Sequence, residues 1–158
     1  MSSTLRDEIK QTRPFGSLAE EATVNLARTS AVLQASLDPL LKAHGLSSAQ
    51  YNILRILRGA GDTGLGRNEI RERLIDRMPD VTRLLDRLEG AGLVRRERDT
   101  ADRRCVPTYL TSRGRVLVDA LDDPIRALHQ QHFSHLTPGQ LHTLIEVLTL
   151  VRNPLPDT

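Results

Sequence analysis

The tightest constraint on the fold lies between residues 79 and 110, where one amphipathic helix is followed at once by the only convincing hairpin in the sequence. Val81, Leu84, Leu85 and Leu88 recur at i, i+3, i+4 and i+7, the spacing of a single apolar helix face. Pro79 suits the first turn, where its missing N–H is no loss, and Asp80 complements the positive end of the helix dipole. Gly90 and Gly92 stop the helix. The segments LVRRER and RRCVPTYL then flank turn residues at 99–102 and read as two strands. Pro107 cannot donate to a ladder, so the second strand is expected to be an edge at that point.

Around this unit the periodicity is helical. Leu18, Ala22, Leu26, Leu33, Leu37 and Leu40 follow a loose 3.6-residue period, one long helix with a bend expected at Pro39. Residues 1–17, with Pro14 and Gly16, read as a mobile arm. SSAQ at 47–50 is a capping-box pattern that starts a second helix near Ser48, and LGRNEIRERL gives a short third one through Ile70 and Leu74. Thr111 can cap a helix carrying Leu117, Leu121, Ile125 and Leu128, and TPGQ at 137–140 opens a last one with Leu141, Leu144, Ile145, Leu148 and Val151. The expected fold is mainly α with a small β-hairpin wing: a winged helix-turn-helix core over residues 47–110, flanked by helices over 18–45 and 112–152, as a single domain over 18–158.

Composition narrows the function. At 158 residues the chain is about one domain long, a size that often completes its core by dimerising. Aromatic residues are only 3%, which argues against modules that stack RNA bases or sugars on aromatic platforms. A single cysteine, Cys105, excludes an intramolecular disulfide framework and fits a reduced, cytoplasmic setting. No apolar run approaches the ~18 residues of a membrane span, and the N-terminus lacks a signal-peptide core.

The arginines are unevenly placed. Twenty of the 22 basic residues are Arg, and 11 fall between Arg67 and Arg104, against nine acids in the same interval. Any anion-binding face must therefore come from geometric sorting of charge. On a helical wheel the leucine face leaves Pro79, Thr82, Arg83, Asp86 and Arg87 on the opposite side, and Arg83 and Arg87, four apart, project together. Such a helix suits the DNA major groove, where Arg grips guanine O6 and N7 and Thr meets base edges or a thymine methyl. Asp86 can orient either arginine. The hairpin tip buries nothing yet can reach a minor groove, with Asp102 fixing Arg104 by a charge-assisted pair. The competing reading is a solvated face whose arginines pair with neighbouring acids.

The run DVTRLLDRLEGAGLVRRERDTADRRCVPTYLTSRG resembles the DNA-binding core of the MarR family of bacterial transcription regulators, with T-R-L-L-D-R-L-E, G-L-V-x-R, D-x-R and L-T-x-x-G in order. The likeness extends over about residues 18–152. It implies that Pro79, Thr82, Arg83 and Arg87 face the major groove, and that Asp102, Arg103 and Arg104 belong to the wing, with Arg104 in the minor groove. Ser47, Arg67 and Asn68 are assigned to phosphates. It implies a homodimer formed by the first and the last two helices, binding double-stranded DNA at an inverted repeat, and repression by blocking promoter access. A pocket for a small aromatic or anionic effector is implied at Thr82 and Arg96, with Tyr51 in a deeper cleft. The family's oxidation-sensing branch uses a reactive cysteine near its N-terminus, which is missing here, and Cys105 is read as structural or incidental, with a redox handle as the alternative.

Three other signals are set aside. GAGDTG at 59–64 matches G-x-G-x-x-G but follows a helical segment, not a strand. His129 and His132 can share a zinc ion, yet nothing adjacent completes a four-ligand set, so packed histidines are preferred and no metal or cofactor is assigned. No catalytic constellation is present, so no enzyme is expected. The alternatives to a DNA-binding regulator are a zinc-responsive sensor and a protein-binding helical dimer.

Overall fold

The computed structural model describes residues 4–76, 79–97 and 106–153. The chain divides into two compact units, one up to Ser48 and one from Ala49 on. In the first, a short helix α1 (Leu5–Glu8), which the sequence reading does not contain, is opened by Thr4. The Thr4 N–H and hydroxyl both donate to Asp7 Oδ2, at 3.1 and 2.7 Å, and hold that carboxyl below the usual carboxylate range.

Helix α2 (Leu18–Lys42) is capped by Ser17, whose Oγ accepts from the Glu20 N–H at 3.1 Å, while the Glu20 carboxylate accepts from the Gly16 N–H at 2.6 Å. Pro39 sits inside the helix, which continues through it to Lys42. Gly45, at φ 72°, takes the left-handed conformation that lets the chain leave the helix end. Only Leu41 of α2 is buried, and Leu18, Leu26 and Val32 stay exposed.

The second unit carries most of the core. Helix α3 (Ser48–Ala60) buries Tyr51, Ile53, Leu54 and Leu57 along one face. A 3₁₀ turn at Gly61–Thr63 follows, and Gly64, at φ 68°, lies flat against Tyr109, whose ring would be 2.6 Å from any Cβ at that position. GAGDTG is thus a helix end and a turn, with no preceding strand. Helix α4 (Arg67–Arg73) buries Ile70, and helix α5 (Val81–Gly90) buries Val81, Leu85 and Leu88. Each such aliphatic side chain contributes about 1.5–3 kcal/mol of burial. Pro79 does not open α5 as expected. Asp80 is the N-cap, its carboxylate accepting from the Arg83 N–H at 3.2 Å, because a capping acid satisfies an orphan donor that a proline cannot.

Strands β1 (Val94–Arg96) and β2 (Thr108–Leu110) pair antiparallel in the register Val94↔Leu110, Arg95↔Tyr109, Arg96↔Thr108. The expected edge at Pro107 is more crowded than the sequence suggested. Leu65 bridges Thr108 from the other side, with reciprocal N–H···O bonds of 3.0 and 2.9 Å, while the Pro107 carbonyl accepts from the Glu97 N–H. Thr108 is therefore paired on both flanks and fully buried.

Helix α6 (Ser112–Phe133) is capped by Thr111, as expected, and runs through Pro124, burying Val118, Leu121 and Ile125. Helix α7 (Pro138–Arg152) opens on the anticipated capping box between Thr137 and Gln140. It buries no residue, and Ile145, Val147, Leu150 and Val151 are each at least half exposed. The architecture is mainly helical with one small hairpin, as expected. No helix among the described residues is long and apolar enough to cross a membrane.

Candidate nucleic-acid interface

The outward face of α5 follows from its inward one. With Val81, Leu85 and Leu88 buried, Thr82, Arg83, Asp86 and Arg87 are left exposed. Among the described residues neither the Arg83 nor the Arg87 side chain makes an ion pair. Two guanidinium groups on consecutive turns are therefore presented to solvent without internal compensation. Pro79 is half-buried, one residue before the cap. Asp102, Arg103, Arg104 and Cys105 lie outside the described residues.

Asp86 does not orient either of its helix neighbours. It pairs instead with Arg96 of β1, Nη2 to Oδ1 at 2.7 Å, because the hairpin brings that arginine to the same side of α5. Glu89 binds the same residue more closely, accepting from the Arg96 Nε at 2.8 Å and from the Arg96 backbone N–H at 3.1 Å, and it pairs with Nη2 as well. The Glu89 and Asp86 carboxylates raise the Arg96 pKa against a smaller effect of burial. On the other face of the hairpin, Arg95 lies over the Tyr109 ring at 4.2 Å and pairs with Glu97.

Beside this ion-pair cluster is a cleft of about 460 Å³ lined by Arg67, Asn68, Thr82, Leu85, Arg96, Val106 and Thr108. It brings together Thr82 and Arg96, expected as an effector site, with Arg67 and Asn68, expected as phosphate contacts. Arg67 Nη1 donates to the Thr82 hydroxyl at 3.2 Å. Thr108, which the sequence reading did not single out, has a buried hydroxyl with no partner among the described residues. A polar residue at an inward strand position is the signal that would have found it. Tyr51 does not join this cleft: it is buried on α3, with Arg55 5.8 Å from its ring centroid, and burial pushes its phenol up. Ser47 is exposed and belongs to the first unit, in a groove with Asp38 and Lys42.

Two further clusters bear on the histidines and on α6. His129 is exposed, and His132 is half-buried with its ring edge-on to Phe133. No group of three potential metal ligands occurs among the described residues. Arg58 of α3 grips Asp122 of α6 through both terminal nitrogens, at 2.8 and 2.9 Å, and reaches Asp119 at 2.8 Å. These bonds hold the Asp122 carboxyl low and the Arg58 guanidinium firmly charged.

Known proteins share both the sequence pattern and the fold. Residues 46–106 match the model of the MarR family. An uncharacterised HTH-type transcriptional regulator of Bacillus subtilis, YkoM, is 34% identical over 108 residues, 68% of each chain. The crystal structure of a MarR transcription factor from Planctomyces limnophilus superposes with a TM-score of 0.68 at 38% identity, covering 87% of this chain and 99% of that one. The S. aureus MepR–DNA complex matches with a TM-score of 0.76 at 26% identity, over 84% and 97% of the two chains.

Proposed function

The chain belongs to the MarR family of transcription regulators, and on that premise we propose that it is a homodimeric, ligand-responsive repressor acting on an inverted-repeat operator in the bacterial cytoplasm. The observation that carries the reading is the α5 surface: Arg83 and Arg87 stand exposed opposite a buried leucine face, without an ion pair among the described residues. A guanidinium in that position can take both guanine acceptors in the major groove, and Thr82 can contact a neighbouring base edge. Arg67, Asn68 and, from the first unit, Ser47 are assigned to phosphates. Asp102, Arg103 and Arg104 are assigned to the wing, with Arg104, held by Asp102, in the minor groove. MepR, a relative crystallised with DNA, supports the assignment by similarity.

Dimerisation rests on α7, which buries no residue and leaves several apolar side chains exposed among the described residues. A helix with this many exposed apolar side chains suits a partner interface. Exposed Leu26 and Val32 of α2 are assigned to the same role. Two-fold symmetry then places two α5 helices about one DNA turn, ~34 Å, apart.

The cleft beside Arg96 is the proposed effector site for a small aromatic or anionic ligand. The buried Thr108 hydroxyl, without a partner among the described residues, favours a ligand there, since filling the cleft gives it a partner. Arg67, bonded to a hydroxyl and, among the described residues, to no carboxylate, is the better anion anchor than Arg96, which two acids already satisfy.

Selection of purified protein against a randomised duplex pool near physiological salt tests the reading. Enrichment of an inverted repeat with half-sites one turn apart is expected. Absence of any duplex binding at low salt would leave a protein-binding helical dimer instead.

A further inference from the structure

The reading helix carries an acid in the middle of its arginines. Asp86 lies three residues from Arg83 and one from Arg87, on the exposed side of α5, with its side chain 58% exposed. A bare carboxylate there would repel phosphate, and it would compete for Arg83, which it faces at i, i+3. Glu89, 39% exposed, adds a second negative charge one turn on. Both are answered by one residue of the hairpin. The Arg96 guanidinium donates to Asp86 at 2.7 Å and, through Nε, to Glu89 at 2.8 Å, and is itself only 26% exposed.

We infer that Arg96 is a positioning residue for DNA reading: it masks Asp86 and Glu89, and so keeps Arg83 and Arg87 available to the bases. It touches neither DNA nor effector in this role. The two acids are not equivalent. Glu89 also accepts from the Arg96 backbone N–H at 3.1 Å, a bond that survives any change of side chain. Among the described residues Asp86 has that guanidinium as its cationic partner and depends on it. Losing the Arg96 side chain therefore unmasks Asp86 above all. The inference rests on the DNA-binding reading and adds to it the residue that sets the charge of the reading face.

The test is a rescue cycle on the operator selected by the wild-type dimer, read as the ratio of operator to scrambled-duplex affinity by fluorescence anisotropy. Arg96→Met is expected to lower that ratio about tenfold or more, the scale of an uncompensated charge near a charged surface after screening. Asp86→Asn alone is expected to stay within about threefold of wild type, since it removes an already masked charge. The combination Arg96→Met with Asp86→Asn is expected to return to within about threefold of wild type, on the same scale. Recovery supports masking, because a hairpin merely weakened by the loss of Arg96 gains nothing from Asp86→Asn. A double variant as poor as Arg96→Met overturns the inference. In that case a salt dependence shallower by about one phosphate contact would show that Arg96 itself binds DNA. Should Arg96→Met melt below the assay temperature, Arg96→Lys, which keeps a cation but reaches one acid at a time, runs the same cycle. Wild-type protein that binds no duplex refutes the DNA reading itself, a result distinct from a binding wild type with no rescue.

Discussion

Gly114 sets how closely α6 approaches the hairpin, and replacing it with alanine puts a number on that contact. A Cβ there would lie 2.1 Å from the Leu93 carbonyl oxygen and 2.8 Å from Leu110 Cδ1. The carbonyl cannot retreat easily, since the Thr111 N–H and hydroxyl hold it at 3.1 and 3.0 Å. Carbon–oxygen contacts settle near ~3.3 Å, so the start of α6 must shift by roughly 1 Å. Alanine in a helix gains about 1 kcal/mol over glycine, whereas overpacking a tight junction costs about 1–3 kcal/mol and a backbone clash sits at or above the top of that range. The net expectation is a loss of about 2 kcal/mol, or ~4–8 °C in Tm for a chain of this length. Gly90, the last residue of α5, is the control: nothing lies within 4 Å of its Cβ position, so Gly90→Ala is expected to match or exceed wild type. Thermal melts followed by circular dichroism, at one protein concentration so that association does not shift Tm, make the comparison. A Gly114→Ala protein melting at or above wild type would refute the close-approach argument.

Three other outcomes are expected. Arg87→Ala should weaken operator binding by about 1–3 kcal/mol if it makes a bidentate base contact, and an unchanged affinity removes it from the reading face. Ile145→Glu combined with Val151→Glu places charge at side chains 60% and 62% exposed in one chain, and sedimentation should then find monomers; an intact dimer would move the interface off α7. Asp122→Asn tests the Arg58 cluster through pH. Asp122 has a carboxyl held low in the folded state, so its contribution is complete at neutral pH and is lost as pH falls through the ordinary carboxylate range to the lowered folded value. The Tm gap between wild type and Asp122→Asn should shrink on acidification, and a gap constant from pH 7 to about pH 2 would contradict the coupling.

Much of this was legible in the sequence, and the reason is local. Val81, Leu85 and Leu88 declare the buried face of α5 by spacing alone, and Thr111 and Thr137 declare their caps by residue type. What was hidden depends on contacts between distant segments. The Leu65 bridge to Thr108 spans more than forty residues and leaves no periodic trace, and the buried Thr108 hydroxyl follows from it. Pro79 illustrates a local ambiguity: both it and Asp80 suit a helix start, and the cap goes to the residue that can accept a hydrogen bond.

The arginines show most clearly where composition stops. A net charge of +2 and an acid for nearly every base between residues 67 and 104 are equally compatible with a solvated surface and with an anion-binding one. Pairing bears on the choice between them, and pairing is a property of the fold. Arg58 and Arg96 are spent on internal acids, Arg95 on Glu97 and the Tyr109 ring, and Arg126 on Asp123. Among the described residues Arg83 and Arg87 are left without an ion pair on one exposed helix face, with Arg67 nearby bonded to a hydroxyl. Two acids of the nearly neutral segment, Asp86 and Glu89, are drawn to the hairpin side of α5 by Arg96, which leaves Arg83 and Arg87 on its outward face without an ion pair among the described residues. Sequence-specific affinity should therefore respond more steeply to which acids are masked than to the total number of arginines, and moving one carboxylate should matter more than adding one distant cation.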